Sequence, residues 1–150
     1  RLVLCLAARL AALQIPFHPL ACAAGVACVS YYTEHHILDH VCQVGKVLGE
    51  ELEECRKDYK CVGDVRYIGL FSAVELVKDQ ETREPLVSYG EDPENLMGKI
   101  IGMLAARGFM TYSHENMIII APPLIITEEQ IREEMAKVKE VLEIVDKEFL

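Results

Sequence analysis

No Cys-x-x-Cys pair occurs among the six cysteines, Cys5, Cys22, Cys28, Cys42, Cys55 and Cys61, and most of them fall in helix-like stretches. That usage argues against a disulfide framework and for free thiols in a reducing, cytoplasmic setting. Basic residues are scarce as well: 15 Lys and Arg stand against 24 Asp and Glu, a formal charge of -9. With no basic surface to displace counterions from phosphate, nonspecific nucleic-acid binding is excluded. Nowhere is there an apolar run of the roughly 20 residues that a membrane span takes. The nearest approach, residues 1–15, is too short and is interrupted by Arg9. Low-complexity tracts, internal repeats and obvious linkers are also missing. What is present, 51% hydrophobic residues in a chain of 150, suits one compact domain with its own core.

The most informative stretch runs from Met117 to Gln130, MIIIAPPLIITEEQ. Met117 to Ala121 is a β-branched apolar run that reads as a buried strand. Pro122 and Pro123 cannot donate to a ladder, so the strand ends at Ala121. Thr127 to Gln130 has the form of a capping box and starts a helix at Glu128. Ile131, Met135, Val138, Leu142, Val145 and Phe149 recur at three- and four-residue steps and form its apolar stripe. Glu133 with Lys137 and Glu143 with Lys147 are acidic-then-basic pairs on its solvated face.

Earlier in the chain, Leu2, Leu6, Leu10 and Leu13 fit a helical stripe that would pack on this domain or on a partner. After Pro16, placed at a first-turn position, a helix follows that is rich in Ala, Cys and Gly. Ile37, Leu38, Val41, Val44, Leu48, Leu52 and Cys55 predict a long amphipathic helix ending near Tyr59, with Gly45 and Gly49 as mild interior costs. Residues 63–78 switch to strand chemistry, with Gly69 marking a bulge or close approach. Residues 79–90 read as a polar surface loop. Asp92 followed by Pro93 reads as an N-cap and first-turn proline, and Leu96, Met97, Ile100, Ile101 and Leu104 carry that helix to Gly108. Phe109 to Ser113 and Met117 to Ala121 form a hairpin around residues 114–116. The expected fold is therefore α+β, a small three-stranded, mostly antiparallel sheet with helices packed on one face.

Four pieces in this order resemble the C-terminal region of the class III, pyridoxal-phosphate-dependent aminotransferases. They are His18 to Ala24, then Val44 to Gly49, then Asp64-Val65-Arg66 with Gly69-Leu70 and Glu75-Leu76-Val77, and finally Gly108 with Ala121-Pro122-Pro123-Leu124. The resemblance covers residues 18–150 and leaves 1–17 as an apolar, non-family segment. It implies the long connecting helix and the small C-terminal domain of fold-type I aminotransferases, beside an active site at a dimer interface. It also implies amino-group transfer to a 2-oxo acid in the full-length family, nearest to the amine:pyruvate or taurine:pyruvate type branch.

The family's chemistry calls for a Schiff-base lysine, an aspartate facing the pyridine nitrogen and a glycine-rich phosphate site. All of these precede the stretch equivalent to His18, and no lysine of this chain stands in a matching context. Just before His18 the family usually has a Thr-aromatic-Ser-Gly run whose threonine reaches the neighbouring subunit's cofactor phosphate; here the residues are Gln14-Ile15-Pro16-Phe17. The abrupt end of the resemblance leads to the expectation that residues 1–17 arose by frameshift or recombination. No catalytic, cofactor-binding or metal-binding residue is assigned, and the chain alone is expected to hold no pyridoxal phosphate and to be inactive.

Some branches place a substrate-carboxylate arginine where this chain has Tyr112 or Ile119. Tyr112 and His114 are thus substrate-side candidates, with Arg66 a third that might line the domain interface, although an arginine entering a strand more commonly serves as an ion-pair partner. Arg107 at a helix C-terminus is explained by the helix dipole. His36 and His40, four apart, could offer two metal ligands but lack a third. For partners, the expectation is a homo-oligomer or a chain carrying the missing large domain, since cutting a domain from its neighbour bares apolar surface on the Pro19 to Tyr32 helix. Nucleic acid and membrane are not expected partners.

Overall fold

A computed structural model describes residues 18–150. The readings made for residues 1–17, including the leucine stripe and Pro16, lie outside the described residues. The described residues fall into two units, 18–38 and 39–150. In the first, helix α1 (Pro19–Glu34) starts with a proline in its first turn, where the missing N–H is no loss. The His18 ring accepts the Leu20 amide at 3.3 Å, so histidine acts as the N-cap. No residue of α1 is buried.

The second unit takes in α2 (Ile37–Asp58) from Asp39 onward, then β1 (Val62–Ile68), β2 (Phe71–Asp79), β3 (Glu84–Pro85), α3 (Leu96–Ala106), β4 (Tyr112–His114), β5 (Met117–Ile120) and α4 (Glu128–Glu148). The sheet is antiparallel in the order β1-β2-β5-β4, with β3 paired to β2 off this path. The strand expected over 63–78 resolves into two, because Gly69 at φ +57° turns the chain between Ile68 and Phe71 instead of bulging it. The expected loop over 79–90 contributes the two-residue strand β3. Among the described residues these additions raise the strand number to five, and α2, α3 and α4 share one core with the sheet.

Strand alternation fixes that face. Val65, Val74 and Ile118 pair across three strands and are buried, as are Ser72 and Ile120 one step along. Val65, Val74, Ile118 and Ile120 join Leu48, Leu52 and Cys55 of α2, Ile100 and Leu104 of α3, and Ile131, Met135, Val138 and Leu142 of α4 in a single core. The α4 stripe is buried as its periodicity predicts from Ile131 to Val145. On α2, Leu38 departs from its stripe and is exposed.

Gly45 and Gly49 do more than tolerate the helix. A Cβ on Gly45 would stand 2.9 Å from backbone atoms of Gly69, and one on Gly49 would stand 2.7 Å from the Tyr67 ring. Their bare backbone is what lets α2 lie against the β1–β2 turn. The capping box of α4 is complete: Gln130 N–H donates to Thr127 Oγ1 at 3.2 Å, and Thr127 N–H donates to Gln130 Oε1 at 3.0 Å. Helix α3 starts later than expected, at Leu96, with Asn95 left-handed at φ 51° and no cap from its own side chain. Asp92 caps from a distance instead, accepting the Leu96 and Met97 amides at 2.6 and 2.9 Å.

Candidate functional site

The face of the sheet opposite α2, α3 and α4 carries all three substrate-side candidates. The register places Arg66, Ala73, Ile119 and Tyr112 in one row, and Asp64, Glu75, Met117 and His114 in the next. Tyr112 and His114 are two apart on β4, so both project from this face, and both are exposed. Arg66 lies at the other edge, on β1, three strands away. At a strand spacing of about 4.8 Å the two edges are roughly 14 Å apart. The structure therefore puts the three residues on one face without bringing Arg66 into contact with Tyr112 or His114.

Arg66 is already engaged. Its Nε donates to Asp64 Oδ2 at 3.2 Å and its terminal nitrogen donates to Glu75 Oε2. The hydrogen bond to Asp64 and the charge of Glu75 raise its pKa further above the ordinary arginine value. The ion-pair role anticipated for an arginine entering a strand is thus the one its geometry shows. Carboxylates on two sides leave the guanidinium poorly suited to take a third one bidentately.

A separate groove of about 710 Å³ lies between the first turns of α4, the Pro122–Pro123 turn and the Phe109–Thr111 segment. Its floor is apolar, with Leu48, Ile120, Ile126, Ile131 and Met135, and its charged lining residues are Glu133 and Glu134. Lys137 pairs with Glu134 at 2.6 Å rather than with Glu133 four residues away, so the expected partner of Glu133 is taken by its neighbour. With carboxylates as its charges, the groove repels a phosphate.

The lysines decide whether the described residues fit a pyridoxal group, because a Schiff-base lysine needs a desolvated amine of lowered pKa. Lys46, Lys57, Lys60 and Lys99 are exposed. Lys78 and Lys147 are exposed and paired to Glu84 and Glu143. Lys139 is the most enclosed by interaction, donating to Glu51 at 2.7 Å and to Glu54 at 2.9 Å. Burial alone would lower its pKa, but the hydrogen bonds and charges of those two glutamates outweigh it and raise the value. Exposed or paired to carboxylates, none of these side chains is the desolvated amine the cofactor requires, so the described residues do not fit it.

This Lys139 cluster escaped the sequence reading. Glu51 is buried although it is charged, held by Arg132 at 2.7 Å as well as by Lys139. The signal was a carboxylate three residues after Leu48 and four before Cys55, on the apolar stripe itself. It ties α2 to α4. His40 likewise makes a structural link, its Nε2 lying 2.9 Å from the Ile126 carbonyl. Among the described residues no group of three His, Cys, Asp or Glu side chains could hold a metal. Among the described residues, Cys28, Cys42, Cys55 and Cys61 are free thiols. Burial pushes the Cys55 thiol up to about 11, and burial with the Asp146 carboxylate raises Cys61 further, so neither acts as a nucleophile. No described helix is long and apolar enough to cross a membrane.

Comparison with known proteins adds family and extent. A family model for class III aminotransferases matches residues 17–142. The chain is 31% identical over 133 residues to ethanolamine-phosphate phospho-lyase homolog 1 of Caenorhabditis elegans, covering 87% of this chain and 27% of that protein. It is 34% identical over 125 residues to an ornithine aminotransferase of Bacillus cereus, covering 83% and 27%. Among solved structures, a taurine:2-oxoglutarate aminotransferase from Bifidobacterium kashiwanohense, in complex with PLP and glutamate, superposes with a TM-score of 0.84 at 46% identity. That match takes in 89% of this chain and 30% of the other. The chain thus spans less than a third of these relatives.

Proposed function

Because this chain belongs to the class III aminotransferase family, we propose that residues 18–150 act as the C-terminal domain of such an enzyme and do not transfer amino groups alone. The observation that carries the reading is the state of the lysines, exposed or tied to carboxylates, in a chain matching under a third of a PLP-binding relative. In the complete enzyme the cofactor and its lysine come from sequence outside these 150 residues. The open sheet face then forms part of the substrate side, where Tyr112 and His114 offer hydrogen-bonding groups and Arg66 positions β1 against β2. The 46% identity to a taurine:2-oxoglutarate aminotransferase favours a small ω-anionic amine as donor and a 2-oxo acid as acceptor.

The test is an absorbance spectrum of the purified chain with added pyridoxal phosphate, then borohydride reduction and intact mass. The expected result is no internal-aldimine band, no covalent adduct and no transfer from taurine to 2-oxoglutarate. A stable band with a single adduct at one lysine would overturn the proposal.

A second reading rests on α1. Leu20, Val26 and Val29 are 72%, 68% and 67% exposed on a helix with no buried residue. An apolar helix of this kind is normally covered. It supports association, as a homo-oligomer or with a chain that supplies the large domain of a split transaminase. Light scattering at micromolar concentration should give a mass above the 16.9 kDa monomer. A monomeric mass would remove the homo-oligomer, and co-purification of a pyridoxal-phosphate protein would select the split enzyme.

A further inference from the structure

We draw no further inference here: the strongest candidate, the apolar groove between the first turns of α4, the Pro122–Pro123 turn and the Phe109–Thr111 segment, carries none because nothing in the structure shows what covers it.

Discussion

Replacing Gly45 and Gly102 by alanine, one at a time, should move stability in opposite directions. Both glycines sit inside helices, and in an exposed helix interior Gly→Ala gains about 1 kcal/mol from propensity. At Gly102 the new methyl meets nothing within 4 Å, so that gain should appear nearly whole. At Gly45 the methyl would stand 2.9 Å from three backbone atoms of Gly69. Backbone at a tight turn cannot swing aside as a side-chain tip can, and overpacking of this kind costs about 1–3 kcal/mol. The net effect of Gly45→Ala is therefore a loss of about 0–2 kcal/mol, and the two variants should differ by about 1–3 kcal/mol. Urea unfolding followed by circular dichroism measures both, with an unchanged m-value confirming that stability alone has moved. Equal gains from the two substitutions would refute the claim that α2 packs on the Gly69 turn through a missing Cβ.

Other consequences are equally direct. Lys139→Met should destabilise by about 2 kcal/mol, because it leaves Glu51 buried with only the half-exposed Arg132, whereas adding Glu51→Leu should recover most of that loss. Since the Lys139 pKa is raised above the ordinary 10.5, its contribution is complete below about that pH and is lost as pH rises through the higher folded-state value. A wild-type stability curve with no extra alkaline loss relative to Lys139→Met would contradict this. Asp92→Ala should cost about 1 kcal/mol and speed exchange of the Leu96 and Met97 amides, since the carboxylate caps both. Val26→Ser with Val29→Ser should lower the apparent mass in light scattering if α1 mediates association, and an unchanged oligomer would move the interface elsewhere.

The legible parts of the fold were those set by interactions within a few residues. The capping box needs only Thr127 and Gln130 three apart, and both of its bonds form. The α4 stripe follows from helical period alone. The β1–β2 turn was hidden because Val65 to Val77 reads as continuous strand chemistry, and a glycine in it is compatible with a bulge, a close approach or a turn. Only pairing with a partner strand decides between these. The N-cap of α3 was misplaced for a related reason: Asp92-Pro93 has the local form of a cap, but Asn95 enters the left-handed region and delays the helix while the Asp92 carboxylate reaches forward. Gly45 shows the general limit. Its interior position was visible, but its purpose depends on Gly69, twenty-four residues further along.

The candidate site was legible as residue types but not as an arrangement. Arg66, Tyr112 and His114 could be named from a family resemblance, and strand alternation then puts all of them on one sheet face. What the sequence left open was whether Arg66 is available. Asp64 is two positions before it on the same strand, and Glu75 stands beside it on β2 because Asp64 pairs with Glu75 and Arg66 with Ala73. That register is set by the Gly69 turn, so the turn that brings β1 back on β2 is also what assigns the guanidinium to two carboxylates. Arg66→Gln should consequently act first on stability, by about 1 kcal/mol, since the pairs are largely exposed and each is worth little. If the full-length enzyme bearing this substitution kept its stability but lost affinity for the 2-oxo acid, Arg66 would have to leave its carboxylates during turnover, and the positioning role assigned to it would be wrong.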